Sequence, residues 1–349
     1  MYRLYNIQAL RGFAAILVVF SHLLIIEQKY GGLSSVLPEI LRYGVFGVDI
    51  FFVVSGFIMV TITKGKFRSL RYTVKFIVQR VVRIYPVYWF YSLLVLVVFL
   101  IYPEWINSSQ GNQVDIIASF LLFPVENLPL LAVGWTLIHE VYFYIIFSLI
   151  LMFFNEDKLP YALSFWALAI IFFNLITSPS SSPLIRLVVH PLTLEFIAGC
   201  FLALLYFKNK GSLKITTLAV FTITMVVISL SLFVSEFGAN GVTPVGWARP
   251  VIFGIPAVCV VYFFLRAEKV GWVFNKIFVT LGDASYSIYL SHILTLSLAG
   301  RLWSVVSSDG IIDNVIAVPV MFLFSCVSGV IAYFWIEVPI IKMTKKITY

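Results

Sequence analysis

The sequence predicts an all-α, polytopic membrane bundle of about ten transmembrane helices, with both termini cytoplasmic. Three observations predict it. Of the 349 residues, 61% are hydrophobic and only 11% charged, against roughly 25% charged in a soluble domain. The apolar residues gather into runs near the roughly 20 residues that one crossing needs. Lys and Arg gather in alternate segments between those runs, 18 in the segments expected inside and five (Lys29, Arg42, Arg186, Arg249, Arg301) in those expected outside. That asymmetry is the positive-inside pattern. The net charge of +8 therefore reports orientation rather than nucleic-acid binding.

The expected spans are 7–26, 44–63, 84–102, 131–154, 161–177, 190–207, 213–234, 248–265, 279–300 and 312–336. The first resembles a signal peptide, but it carries Arg11 and shows no clear cleavage site, so it is read as retained. The stretch 115–123 is apolar but too short to cross, which suits a re-entrant or interfacial piece. Ser178-Pro179-Ser180-Ser181-Ser182-Pro183 reads as a short outer loop. Cys200, Cys259 and Cys326 lie in separate apolar runs and read as packing residues. The expectation is one integral-membrane domain over 1–349, with no appended soluble domain.

Polar groups inside these runs are the candidates for function, because an ionisable side chain in lipid normally faces a bundle interior or a wet path. In the first span Arg11 and His22 lie almost three turns apart, on one stripe about 16 Å long. Before the third span, Arg80 and Arg83 stand at i,i+3, two guanidiniums on one face suited to phosphate. The preceding Lys64, Lys66, Arg68, Arg71 and Lys75 suit topology and anionic-lipid contact. In the second span Gly56 suits close helix approach, and Asp49 either pairs with Arg42 or serves the site. Glu140, in the fourth span, falls about 14 Å below the outer face. His22 and His292 fall about 20 Å above the inner face. A His22–Glu140 pair would stabilise a protonated imidazole; the structural alternative pairs Glu140 with a Tyr or Arg. His292 either bonds a ligand at the site or links helices, Glu195 could line the outer mouth, and His139 and His190 read as interfacial or helix-contact residues.

Five motifs in order resemble the acyltransferase-3 family of bacterial integral-membrane enzymes that O-acylate cell-surface glycans. They are Arg11-Gly12-x-Ala14 with His22, Phe51-Phe52-x-x-Ser55-Gly56-Phe57, Arg80-x-x-Arg83-Ile84-Tyr85-Pro86, Trp135-x-x-x-x-Glu140-x-x-Phe143-Tyr144 and Ser285-Tyr286-x-x-Tyr289-Leu290-x-His292. The chain departs from the usual pattern at Thr136, where Ser is common, a change that keeps the hydroxyl. The resemblance implies ten helices, acyl-CoA (acetyl-CoA above all) as co-substrate, no metal or bound cofactor, and a hydroxyl of a glycan or lipid-linked saccharide as acceptor. It implies a multi-pass protein of the bacterial cytoplasmic (inner) membrane. Essential roles are implied for Arg11, His22, Arg80, Arg83 and Glu140. Catalysis is then expected of His22, as base or nucleophile, and of Glu140. Donor binding is expected of Arg11, Arg80, Arg83 and Tyr85. Ser55, Trp135, Tyr144, Tyr286, His292, Asp49 and Glu195 are expected to line the site. Some relatives carry a further periplasmic hydrolase-like domain; without one, the acceptor is expected to meet the membrane core or its loops directly. The competing class is a proton-coupled transporter or flippase of a lipid-linked saccharide or small solute. The absence of an internal repeat and of matched broken helices weighs against it.

Overall fold

A computed structural model describes residues 3–32, 35–176, 182–208, 214–236, 243–307 and 311–345. The expected loop residues 178–181, and the ends of two expected spans at Thr177 and Leu213, lie outside these. The described residues are helical in every expected span and contain no strand. This follows from the solvent: in lipid, backbone N–H and C=O groups must be satisfied within the segment itself.

Helices α1 (Tyr5–Tyr30), α2 (Phe46–Thr63), α3 (Leu70–Ile101), the short α4 (Ile116–Leu121), α5 (Gly134–Phe153), α6 (Leu159–Ile176), α7 (Pro183–Val188) and α8 (Thr193–Lys208) make the first half. Helices α9 (Ile215–Glu236), α10 (Ile255–Lys269), α11 (Lys276–Asp283), α12 (Ser285–Val306), α13 (Ile311–Ala332) and α14 (Val338–Lys345) follow. Among the described residues nine helical segments are long and apolar enough to cross a membrane. The remaining expected span, 279–300, corresponds to α12, which is 22 residues long but is diluted by Ser285, Ser287, Ser291, His292 and Arg301. Two π turns precede prolines: Pro250–Gly254 before Pro256, and Tyr333–Glu337 before Pro339. A proline has no N–H to donate back and crowds the preceding turn, so the helix widens there.

The third span differs from its expected extent. The apolar run begins at 84, but α3 begins at Leu70 and runs 32 residues. Lys and Arg interrupt a hydropathy pattern without disfavouring a helix. Arg80 and Arg83 therefore lie well inside a helix, not on its lead-in.

The chain forms two compact units, Met1–Val54 with Tyr206–Trp335, and Ser55–Leu205 with Ile336–Tyr349. In the first unit α1 is central, packing on α10, α11, α12 and α13. Ala15, Val19 and Leu23 of α1 share a core with Ala284, Ile288, Leu296, Trp303, Val318 and Met321. Gly12 lets α1 touch the α11 backbone: a Cβ there would lie 2.8 Å from Gly282 N. Both ends of α1 are tied by carboxylates. The Glu268 carboxylate accepts the N–H groups of Tyr5 (3.0 Å) and Asn6 (2.8 Å), capping the positive helix terminus. Glu27, 1% exposed, accepts from Ser35 Oγ, Val36 N and Leu37 N at 2.7–3.0 Å and from Asn314 Nδ2 at 3.3 Å.

In the second unit α3 packs on α5, with Phe76 against Tyr144 and Phe147. Phe143 stacks on Phe196 of α8 at 4.6 Å. Helix α4, capped by Asp115, docks on α3 through three aromatic donors: Tyr85, Tyr88 and Trp89 donate to the carbonyls of Leu121, Ser119 and Phe120 at 2.8–3.0 Å. That contact falls about 18–24 Å short of the Ile101 end of α3.

Candidate functional site

In the first unit the functional candidates meet at two imidazoles. His22 comes from α1 and His292 from α12; the rings stand edge to face with centroids 4.9 Å apart. His292 is fully buried. Its Nδ1 lies 2.6 Å from Tyr289 O, an atom that only accepts, so in the neutral ring Nδ1 carries the hydrogen and Nε2 the lone pair. That Nε2 lies 3.3 Å from His22 Nδ1, which also lies 2.9 Å from Val18 O. Facing two acceptors, His22 Nδ1 is assigned as the donor. The neutral His22 ring then keeps its lone pair on Nε2. Tyr289 packs beside His292 and Phe51. Tyr286, on the same helix, is half-buried. Arg11 donates through Nη1 to Gln8 Oε1 at 2.9 Å.

Asp49 is fully buried and makes a two-point ion pair with Arg249, Nε–Oδ1 2.9 Å and Nη2–Oδ2 3.0 Å. Its partner is therefore not Arg42, which bonds Glu39 at 2.5 Å and Gln28 at 2.7 Å. Arg249 stood among the outer cations in the sequence; only folding takes it 200 residues back along the chain.

In the second unit a separate set gathers around Glu140. Its Oε1 accepts from Ser55 Oγ at 3.1 Å and from Tyr144 Oη, one turn along α5. Ser55 Oγ also lies 3.1 Å from Tyr144 Oη. The Arg80 guanidinium stands over the rings of Tyr144 (5.7 Å) and Phe76 (5.8 Å), a cation–π arrangement. Its buried Nε has no hydrogen-bond partner among the described residues. Rings thus hold this cation while leaving donor capacity at Nε. Arg83 lies 3.8 Å from Glu337, which is 1% exposed and ends the second π turn. Arg80 and Arg83 thus face different partners, α5 and the Glu337 turn.

The other expected residues have distinct places. Tyr85 is committed to the carbonyl of Leu121. Glu195 is 2% exposed in the first turn of α8, enclosed rather than open to solvent. Trp135 begins α5 beside His139, whose ring packs on His190 at 4.7 Å. Gly56 has the close-approach role expected of it: its missing Cβ would lie 1.9 Å from Phe196 O, and Cys200 Sγ lies 3.4 Å from Gly56 O. The three cysteines are unbridged, Cys200 buried and Cys259 and Cys326 half-buried. Glu337 was missed by sequence reasoning. The available signal was a carboxylate directly after the last apolar run, at Ile336-Glu337-Val338-Pro339.

The acyltransferase-3 family, described as an acyltransferase domain, matches residues 4–337. The exopolysaccharide production protein ExoZ of Rhizobium meliloti (strain 1021) is 29% identical over 320 residues, covering 86% of this chain and 90% of the relative. The provisionally named acetyltransferase ORF330 of Acidianus two-tailed virus is 26% identical over 298 residues, covering 84% of each chain. No solved structure matches the chain significantly.

Proposed function

Because this chain belongs to the acyltransferase-3 family and is a multi-pass membrane acyltransferase, we propose that it moves an acetyl group from cytosolic acetyl-CoA to a hydroxyl of a surface glycan or its lipid-linked precursor. The name of the ExoZ relative supports a polysaccharide as acceptor. The membrane is the bacterial cytoplasmic one.

The observation that carries the mechanism is the hydrogen bonding of His22. With Nδ1 committed to Val18 O and shared with His292 Nε2, the basic nitrogen is Nε2. As general base, Nε2 takes the proton of the acceptor hydroxyl while the oxygen attacks the thioester carbonyl. The C–S bond then breaks, the acetyl ester remains on the acceptor, and the CoA thiolate leaves with the proton from His22. In the nucleophilic version Nε2 itself attacks first and the acceptor discharges the acyl-imidazole. Glu140, held by Ser55 and Tyr144, is the second ionisable group of the reaction. Arg80 and Arg83 take donor phosphates, since guanidinium binds phosphate through paired N–H groups. Arg11 lies along the donor's approach on α1.

The test uses purified protein in lipid nanodiscs with radiolabelled acetyl-CoA. His22→Ala is expected to lower transfer by roughly 10²–10⁴-fold, the scale of a lost general base, while the protein still inserts and elutes as a single species. Wild-type transfer by this variant would remove the scheme.

A further inference from the structure

The second unit contains a cavity that the scheme above does not use. It measures about 180 Å³ and lies between the 124–129 loop, the first turns of α5 and the α7 region. Its wall is pre-set. Asn107 Nδ2 donates to the carbonyls of Leu128 (3.1 Å) and Pro129 (3.2 Å). Leu128 N–H donates to Gln110 Oε1 (2.7 Å) and Leu130 N–H to Ser119 Oγ (2.9 Å). Pro124 and Pro129 stiffen the same loop. Such a wall needs little ordering when a ligand arrives.

Its lining combines flat faces with a neutralised ion pair. Trp135 stands edge to face with His139, and His139 with His190. His190 Nδ1 accepts from Leu192 N–H at 3.2 Å, so the neutral ring carries its hydrogen on Nε2. Arg186 pairs with Glu126 at 2.5 Å, with both side chains substantially exposed. All these residues belong to the loops expected outside, or to the first turns of the helices that follow them.

We propose that this cavity binds one pyranose ring of the acceptor glycan. An indole offers an apolar face for the C–H face of a sugar, with the polar atoms left at its edges. Hydroxyls both donate and accept, so one sugar can satisfy carboxylate, guanidinium and imidazole together. A phosphate would meet Glu126 and a guanidinium already neutralised by it, which separates this cavity chemically from a donor or anionic-headgroup site.

Naming the ligand as the acceptor rests on the acyl-transfer reading; the binding itself does not. The test is therefore made without acyl donor. Saturation-transfer difference NMR would use the full chain in nanodiscs with methyl glucopyranoside, galactopyranoside and mannopyranoside at tens of millimolar. Ring protons of at least one glycoside are expected to be saturated. Trp135→Ala and Arg186→Gln should weaken that signal roughly fivefold, the scale of one ring or hydrogen-bond contact. Trp135→Phe should retain it. Unchanged thermal midpoints in the three variants establish that the fold is intact.

No saturation of any glycoside, or equal saturation in wild type and in both weakening variants, overturns the proposal. So does displacement of the glycoside by glycerol 3-phosphate, which assigns the cavity to lipid headgroups. A chain that binds glycoside here but never transfers acetyl defeats the acyl-transfer reading alone. A chain that transfers acetyl, but whose glycoside binding ignores Trp135 and Arg186, defeats this proposal alone.

Discussion

Arg80 illustrates what one side chain gains from its surroundings. On sequence it is one of seven cations between the second and third spans, and its neighbour Arg83 looks equivalent. In the structure Arg80 is held by two aromatic faces with Nε unpartnered among the described residues, whereas Arg83 stands near the buried Glu337 carboxylate. A guanidinium held by rings still has hydrogens to offer; one near a carboxylate is already partly neutralised. Arg80→Ala is therefore expected to raise the acetyl-CoA KM by roughly tenfold or more, the worth of a charge-assisted hydrogen bond, and by more than Arg83→Ala. Steady-state kinetics on both variants check this ordering. Arg80→Lys should recover little, because an ammonium lacks the planar fork. Asp49 shows the same dependence on partners: both its oxygens serve Arg249 in an ion pair whose carboxylate is fully buried, a contact that holds elements together.

Among the elements, α2 and α8 meet where α2 has no room for a side chain. Gly56 faces the Phe196 carbonyl so closely that a Cβ would sit 1.9 Å from the oxygen and 3.1 Å from Cys200 N. Gly56→Ala must part the helices, at about 1–3 kcal/mol, as overpacking usually costs. The expected readout is a lower thermal midpoint of the purified protein in detergent; an unchanged midpoint would mean the backbones do not meet. Helix α4 makes the complementary point. Six residues cannot cross a membrane, yet the carbonyls at its C-terminal end accept from three aromatic side chains of α3. Those donors replace the water that its open end would otherwise need. Its existence was legible in the sequence; its dock was not, because the donors lie some 30 residues earlier.

For the whole molecule the parity of crossings decides where the ends lie. Nine described helical segments qualify as spans on length and hydropathy, and an odd number would place the two termini on opposite sides. Helix α12 supplies the tenth. Its 22 residues reach about 33 Å, and its polar groups turn inward, with Ser285, Ser287 and His292 fully buried, while Leu298, Leu302 and Val305 are exposed. With ten crossings and the 18-to-five cation bias, both termini are expected in the cytoplasm. A C-terminal green fluorescent protein fusion should fluoresce in bacteria and a C-terminal alkaline phosphatase fusion should be inactive; the reverse pattern would refute the topology.

By itself the sequence determined the helical class, the place of nearly every span and the motifs that mark the family. Each of these depends on a property a residue carries alone: its cost of transfer into lipid, or its type at a fixed spacing. Only the tertiary structure decided partners. It joined His22 to His292, Asp49 to Arg249, and Arg80 to the ring of Tyr144, and it brought the 124–129 loop to Trp135. Those pairings span from some ten to about 270 residues of chain. They follow from which helix faces pack together, and one-dimensional hydropathy contains no record of that.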